Sequence, residues 1–170
     1  MNYIKDVKLK ADNLYNMIIE IRKGSKKKNE LAEPNFEELK CVRKSLVRYP
    51  FYYGCFPQTL AGDGDALDAI LITKKKHKEL DVVEIMPVAV IKTLDNGEED
   101  NKIICVEDSK VKHLDKLVTL IRKFLSIYKG KKADMIIDGK DYDVAEPLRL
   151  IEESHKKFNS KVSVNSLKVE

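Results

Sequence analysis

The sequence has no apolar run approaching the roughly 20 residues of a membrane helix, so no bilayer span is expected. Its opening, "MNYIKDVKLK", lacks the apolar core and small-residue site of a secretory signal, which points to a cytoplasmic protein. The three cysteines, Cys41, Cys55 and Cys105, are odd in number and contain no CxxC pair. A disulfide framework and a zinc site are thereby excluded, and buried reduced thiols are expected. Histidine is equally scarce: His77, His113 and His155 show no paired ligand spacing and receive no role. Neither internal repeats nor low-complexity linkers occur, and the net charge is only +4, with lysine runs scattered among acids. A concentrated basic stripe for nucleic acid is missing.

What is present is a chain of 170 residues, 43% hydrophobic and 35% charged, enough for one domain with a real core. Residues 14–22, "LYNMIIEIR", read as a strand followed by a turn, and 37–43 as a returning strand. Prolines and a glycine interrupt the aromatics of 48–59, so irregular or edge-strand structure is expected there. "LDAILIT" reads as a buried strand. Residues 81–95 form a long β-branched strand with Pro87 marking a bulge, and "NG" at 96–97 a hairpin turn before the strand "KIICVE". Beyond residue 107 the period changes. Leu114, Leu117, Val118, Ile121, Phe124, Leu125 and Tyr128 mark a helix over 112–129 that Gly130 ends, and 144–158 a second, with Pro147 in its first turn. The segment 133–142 offers a short strand and turn, and the tail from Asn159 has little to bury. Strands followed by helices indicate an α+β domain, or a closed barrel with helices outside.

The stretch "AGDGDALDAI" crowds Asp63, Asp65 and Asp68 into six positions. Carboxylates so close repel one another and need a positive partner. An EF-hand is excluded, because its fifth, sixth and twelfth positions hold Leu67, Asp68 and Lys74. An ordinary turn remains one reading of the isolated motif. The other is a magnesium site, with Asp63 and Asp65 on one side of an extended segment and Asp68 turned beside them. A second acidic group, "LDNGEEDNK", puts Asp95 and Asp100 on the two arms of the hairpin with Lys102 just beyond. By itself it is a solvated hairpin tip; together the two groups suggest a cage for more than one metal.

These segments resemble the soluble family I inorganic pyrophosphatases, in order along the chain. "EIRKGSKKKNE" is similar to that family's EIPKGSxxKYE segment, "YPFYYGCFPQT" to YPxNYGxxPxT, and "GDGDALD" to DGDPLD. "DNGEEDNKIICV" and "FLSIYKG" match two further segments, with Ala145-Glu146 a weaker last one. The matches run from about residue 18 to 158 of a single domain spanning 1–170. The resemblance implies a mainly β, α+β fold: a five-stranded OB-like β-barrel flanked by two C-terminal α-helices. It also implies Mg²⁺-dependent hydrolysis of pyrophosphate to two orthophosphates, with several Mg²⁺ ions per active site.

By motif position, the resemblance makes Asp65 the base that takes a proton from the attacking water. Asp63, Asp68, Asp95, Asp100 and Glu20 would hold metal, Asp95 and Asp100 the metal that arrives with substrate. Lys28, Arg43, Tyr53, Lys102, Tyr128 and Lys129 would meet phosphate, with Glu30 supporting Lys28. Ala66, Asn29 and Tyr52 depart from the family's proline, tyrosine and asparagine. Arg43 stands nearer Tyr49 than the family norm, which leaves Arg48 as a second candidate cation. The implied partners are pyrophosphate and further copies of the chain, a homohexamer favoured, with no nucleic acid and no membrane. Two other readings stand beside this one. Lysine runs and the aromatics Tyr49, Phe51, Tyr52, Tyr53 and Phe56 would also suit a non-enzymatic nucleic-acid-binding OB-type module. A catalytically weakened relative that binds metal and phosphate is the other.

Overall fold

Strands, several of them buried along their whole length, organise the first two-thirds of the chain. The computed structural model describes residues 1–130, 135–136 and 144–166. Its strands are β1 (Lys10–Ala11), β2 (Leu14–Ile21), β3 (Lys27–Leu31), β4 (Leu39–Lys44), β5 (Tyr52–Cys55), β6 (Asp68–Ile72), β7 (Val82–Ile91), β8 (Thr93–Asp95), β9 (Glu98–Glu99), β10 (Lys102–Val106) and β11 (Met135–Ile136). The helices are α1 (Tyr3–Asp6), α2 (Leu114–Ile127) and α3 (Ala145–Ser166).

Five strands close on themselves. β2 pairs with β5, β5 with β6, β6 with β10, β10 with β7, and β7 returns to β2, with β1 appended to β2. Closure removes the unpaired edges that an open sheet would expose. All these pairings are antiparallel except β6–β10, which is parallel with Lys102 beside Asp68 and Val106 beside Ile72. Every residue of β10 is buried, as expected for a strand covered on both faces. Alternate residues divide between two cores. Ala69, Leu71, Ile103 and Cys105 join the core that Ile151 of α3 enters; Ile70, Ile72, Ile104 and Val106 join the one that α2 seals with Val118, Ile121, Phe124 and Leu125.

Several expectations hold in detail. The register of β10 on β7 shifts between Ile104 and Cys105, where Pro87 lies opposite. Asn96 and Gly97 both take positive φ, as a tight hairpin turn demands. Gly130 ends the α2 region at φ +65°.

Three expectations are corrected. The 52–55 segment is no edge: β5 lies between β2 and β6, because Pro50 and Pro57 flank the strand and leave its own amides free to pair. The lysine-rich stretch "KGSKKKN" at 23–29, read as a turn, already enters β3 at Lys27, and β3 pairs with β4 in a separate hairpin. The second helix does not end near Phe158 but runs to Ser166 with exposed side chains such as Val162, so this part of the tail is helical while burying little. Most of the expected 133–142 strand and turn lies outside the described residues.

Gly54 fixes how closely β5 can approach β2. A Cβ there would sit 1.8 Å from the Ile18 carbonyl oxygen, a backbone atom that cannot move aside. Gly54→Ala is therefore expected to cost about 3 kcal/mol or more in urea unfolding. Gly24→Ala, at φ +86° with open space around its Cβ, should cost only about 1 kcal/mol. Equal losses in the two variants would refute the close approach as the cause.

Candidate active site

The acidic segments converge on one cavity of about 830 Å³, lined among others by Glu20, Lys28, Asp63, Asp65, Asp68, Asp95 and Asp100. They come from the barrel strands and from segments laid beside them. Glu20 lies on β2, Lys28 on β3, Asp68 at the start of β6, Asp95 on β8, and Asp100 just before β10. Asp95 and Asp100 approach as expected, through pairing of β8 with β9, and the Asp100 amide donates to the Thr93 carbonyl at 2.9 Å.

The segment carrying Asp63 and Asp65 differs from expectation. It is a turn and not an extended run, closed by Ala61 N–H to Asp65 O at 2.7 Å and Asp65 N–H to Asp63 Oδ1 at 3.1 Å. Gly64 at φ +93° permits it. The turn still directs both carboxylates into the cavity, by local geometry and not by strand alternation.

Cations interleave with the carboxylates. Lys102, with its side chain 1% exposed, reaches Asp68 Oδ2 and Asp100 Oδ1, each at 2.5 Å. Tyr53 donates its hydroxyl to the same Asp68 oxygen at 2.6 Å. Lys129 Nζ lies 2.8 Å from Asp95 Oδ2, and Lys28 pairs with Glu30. Burial alone would raise the Asp68 pKa, but Lys102, Lys28 and the hydrogen bonds from Lys102 and Tyr53 outweigh it and hold it below the ordinary carboxylate range. The hydrogen bond from Lys129 likewise lowers Asp95. Asp65 goes the other way, raised by desolvation and by the neighbouring Asp63. Glu20, buried with one hydrogen bond from the Leu31 amide, is pushed up to about 8 by that burial.

Behind the acids stands an aromatic wall. Arg43 lies opposite Lys28 in the β3–β4 hairpin, its guanidinium carbon 4.9 Å from the Tyr128 ring centroid. Its two terminal nitrogens and the Tyr49 hydroxyl are buried with no hydrogen-bond partner. Arg48 is exposed and donates to the Gly24 carbonyl at 2.8 Å, so its guanidinium supports that turn. Of the two candidate cations, Arg43 is the one that lies opposite Lys28 and over the Tyr128 ring, and neither of the two lines the cavity itself. Tyr49, absent from the sequence-derived set, joins it; the sequence marks it only as one of several neighbouring aromatics. Those aromatics do not form a base-stacking surface, since Tyr49, Tyr52, Tyr53 and Phe56 are all buried. His155 serves structure, its Nδ1 2.6 Å from the Gln58 carbonyl oxygen.

Among the described residues, no three His, Cys, Asp or Glu side chains are gathered so as to grip one ion as they stand. Lysines hold the carboxylates in that arrangement. The donor set nevertheless fits a hard divalent cation: all are carboxylate oxygens, and Asp63 and Asp65 face the cavity with no lysine paired to them.

An OB-like barrel with such a cavity defines a class of protein that handles oxyanions together with cations. Residues 17–159 match the family model described as inorganic pyrophosphatase. The "Inorganic pyrophosphatase" of Synechocystis is 35% identical over 157 residues, covering 85% of this chain and 92% of that one. Solved pyrophosphatases of Neisseria gonorrhoeae and Thermus thermophilus each superpose with a TM-score of 0.79, at 27% and 26% identity. They cover 91% and 94% of this chain, and 97% and 99% of their own. The chain belongs to the inorganic pyrophosphatase family.

Lys102→Met isolates the electrostatic core of the site. It leaves Asp68 and Asp100 without their shared cation, and a loss of about 3–5 kcal/mol is expected without divalent ions. Added Mg²⁺ should raise the melting temperature of the variant more than that of the wild type. An unchanged stability would show that Lys102 does not neutralise the pair.

Proposed function

We propose that this chain hydrolyses inorganic pyrophosphate to two orthophosphates with the help of several Mg²⁺ ions, Asp65 acting as general base. The observation that carries the reading is the convergence of five aspartates with Glu20 and Lys28 on one cavity, from segments far apart in sequence. Asp63, Asp68, Asp95, Asp100 and Glu20 are the residues to hold metal. Bound divalent ions supply masking of the substrate's negative charge and a more acidic water.

The chain's own groups perform the rest. Asp65 faces the cavity, and its raised proton affinity suits it to accept a proton from water as the oxygen attacks phosphorus. As the bridging bond breaks, negative charge gathers on the departing phosphate. Lys28, Arg43 and Lys129 meet that charge, and Tyr53 and Tyr128 bring hydroxyl groups to the same region. The unpartnered fork of Arg43 suits two oxygens of one phosphate, which an ammonium could not grip in the same way. Lys102 pairs with Asp68 and Asp100 and favours the ionised form of Asp68, and Glu30 orients Lys28.

We further read the protein as a cytoplasmic homo-oligomer, a hexamer favoured. Its unpaired cysteines suit a reducing compartment. Leu120 and Ile127 are exposed one heptad apart on α2, and exposed Leu46 lies by Gly130 at its end, an apolar patch suited to a partner subunit. Light scattering at micromolar concentration should give a multiple of the 19.5 kDa chain mass; a single monomeric species would overturn the assembly.

The reaction is tested by phosphate release from pyrophosphate with and without Mg²⁺, with ATP as control substrate. Asp65→Asn should lower kcat by about 10²–10⁴ while its Mg²⁺-induced thermal shift persists. In the same assay Arg43→Lys should lose about tenfold or more in kcat/KM, and Arg48→Lys little. No release from folded, Mg²⁺-supplied wild type would refute the activity.

A further inference from the structure

Pyrophosphate has nine heavy atoms, whereas cavities of about 300–1,000 Å³ hold ligands of drug size. The space here, about 830 Å³, is therefore larger than pyrophosphate alone would fill. Its lining is also of two kinds. Besides the carboxylates and Lys28 it is walled by a cluster of apolar residues, Ile4, Leu31, Phe36 and Phe158, together with Leu60 and with Val162 at the exposed end of α3.

This apolar lobe is a built feature. Phe36 and Phe158 pack with Ile4 and Leu31 around Ile18 and Cys55. Backbone bonds tie the contributing segments together: Tyr3 N–H to Phe36 O at 3.0 Å, and Gln58 N–H to Ile4 O at 2.9 Å. The Gln58 carbonyl in turn meets His155 of α3, and the terminal amine of Met1 meets Glu37 at 2.9 Å. The lobe offers little with which to read a nucleobase. The Thr59 hydroxyl is already used, donating to Phe56 O and accepting from Leu67 N–H. The charged lining residues on this side, Lys5, Glu33, Lys40 and Lys161, are exposed at the rim.

We infer that the lobe receives the hydrocarbon substituent of an organic diphosphate whose diphosphate head occupies the carboxylate and lysine end of the same cavity. The inference rests on the pyrophosphatase reading of that end and extends its range of ligands. Charge complementarity selects the head, and apolar walls select the tail. Burying each methylene contributes about 0.8 kcal/mol, or about a fourfold gain in affinity.

Methyl, butyl and hexyl diphosphate, with ADP for comparison, are to be measured as inhibitors of Mg²⁺-supported pyrophosphate hydrolysis and, separately, by calorimetry. The inhibition constant should fall about fourfold per added methylene, with hexyl diphosphate binding tighter than ADP. Phe158→Ser and Val162→Asp should flatten that dependence and leave the KM for pyrophosphate unchanged; Val162 is exposed, so its replacement does not threaten folding. Inhibition independent of chain length, or tighter binding of ADP, overturns the lobe while leaving the pyrophosphatase reading intact. Absence of pyrophosphate hydrolysis removes that reading instead, and calorimetry still reports whether affinity grows with the alkyl chain.

Discussion

The ammonium group of Lys102 is the constraint on which the site depends. It is held almost fully out of water, where an isolated charge would be prohibitively costly, by carboxylates of Asp68 and Asp100 on either side. That neutralisation is available only because β6 and β10 run parallel and start in register, bringing Asp68 and Lys102 side by side at one end of the barrel. The opposite end of the same strand pair has a similar device. Beyond Ile72 and Val106, Glu107 accepts from Thr73 at 2.5 Å, lies 2.8 Å from His77 Nε2, and pairs with Lys75. Polar latches thus close both ends of a strand pair whose middle is wholly apolar.

The aromatic wall follows from how α2 is placed. Packing of Ile121, Phe124 and Leu125 against the β6–β10 surface brings Tyr128 to the last turn of the helix, next to Tyr49 and beneath Arg43. Lys129, one residue further on, reaches Asp95. A hydrophobic contact therefore positions Tyr128 beside Arg43 and Lys129 beside Asp95. The buried, unpartnered guanidinium of Arg43 carries a desolvation cost that a bound oxyanion would repay.

How much of this could be read from the chain varied with the range of the interaction. α2 was legible because seven apolar residues repeat at helical spacing within one turn of each other. The hairpin at Asn96-Gly97 was legible because its backbone needs φ > 0 at both positions. β3 was hidden by its lysines, since only Leu31 of its two buried residues is apolar, the other being Asn29. β5 was hidden by its prolines, which signal an interruption but here merely bound the strand. The acidic residues were legible as types and as motifs; their convergence depends on barrel closure, which no local pattern encodes. The different surroundings of Tyr49, Arg43 and Arg48 depend on burial and hydrogen-bond partners, which only the fold supplies.

The same logic explains why one cavity has two characters. Its charged end is made by barrel strands and the turns joining them, where backbone geometry fixes carboxylates and lysines within a few ångströms. Its apolar end draws on α1, β3, the loop between β3 and β4, the connection from β5 to β6 at Leu60, and the later turns of α3. The carboxylates thus come from the barrel strands and the turns joining them, whereas Lys28 and Arg43 come from the β3–β4 hairpin and Lys129 from the end of α2. A barrel closed on itself has no edge to extend, so additional binding surface must come from what is laid against its mouth. Ile4, Phe36 and Phe158 are so placed here, and the carboxylate pairs remain where the strand register puts them whether or not that outer lobe is filled.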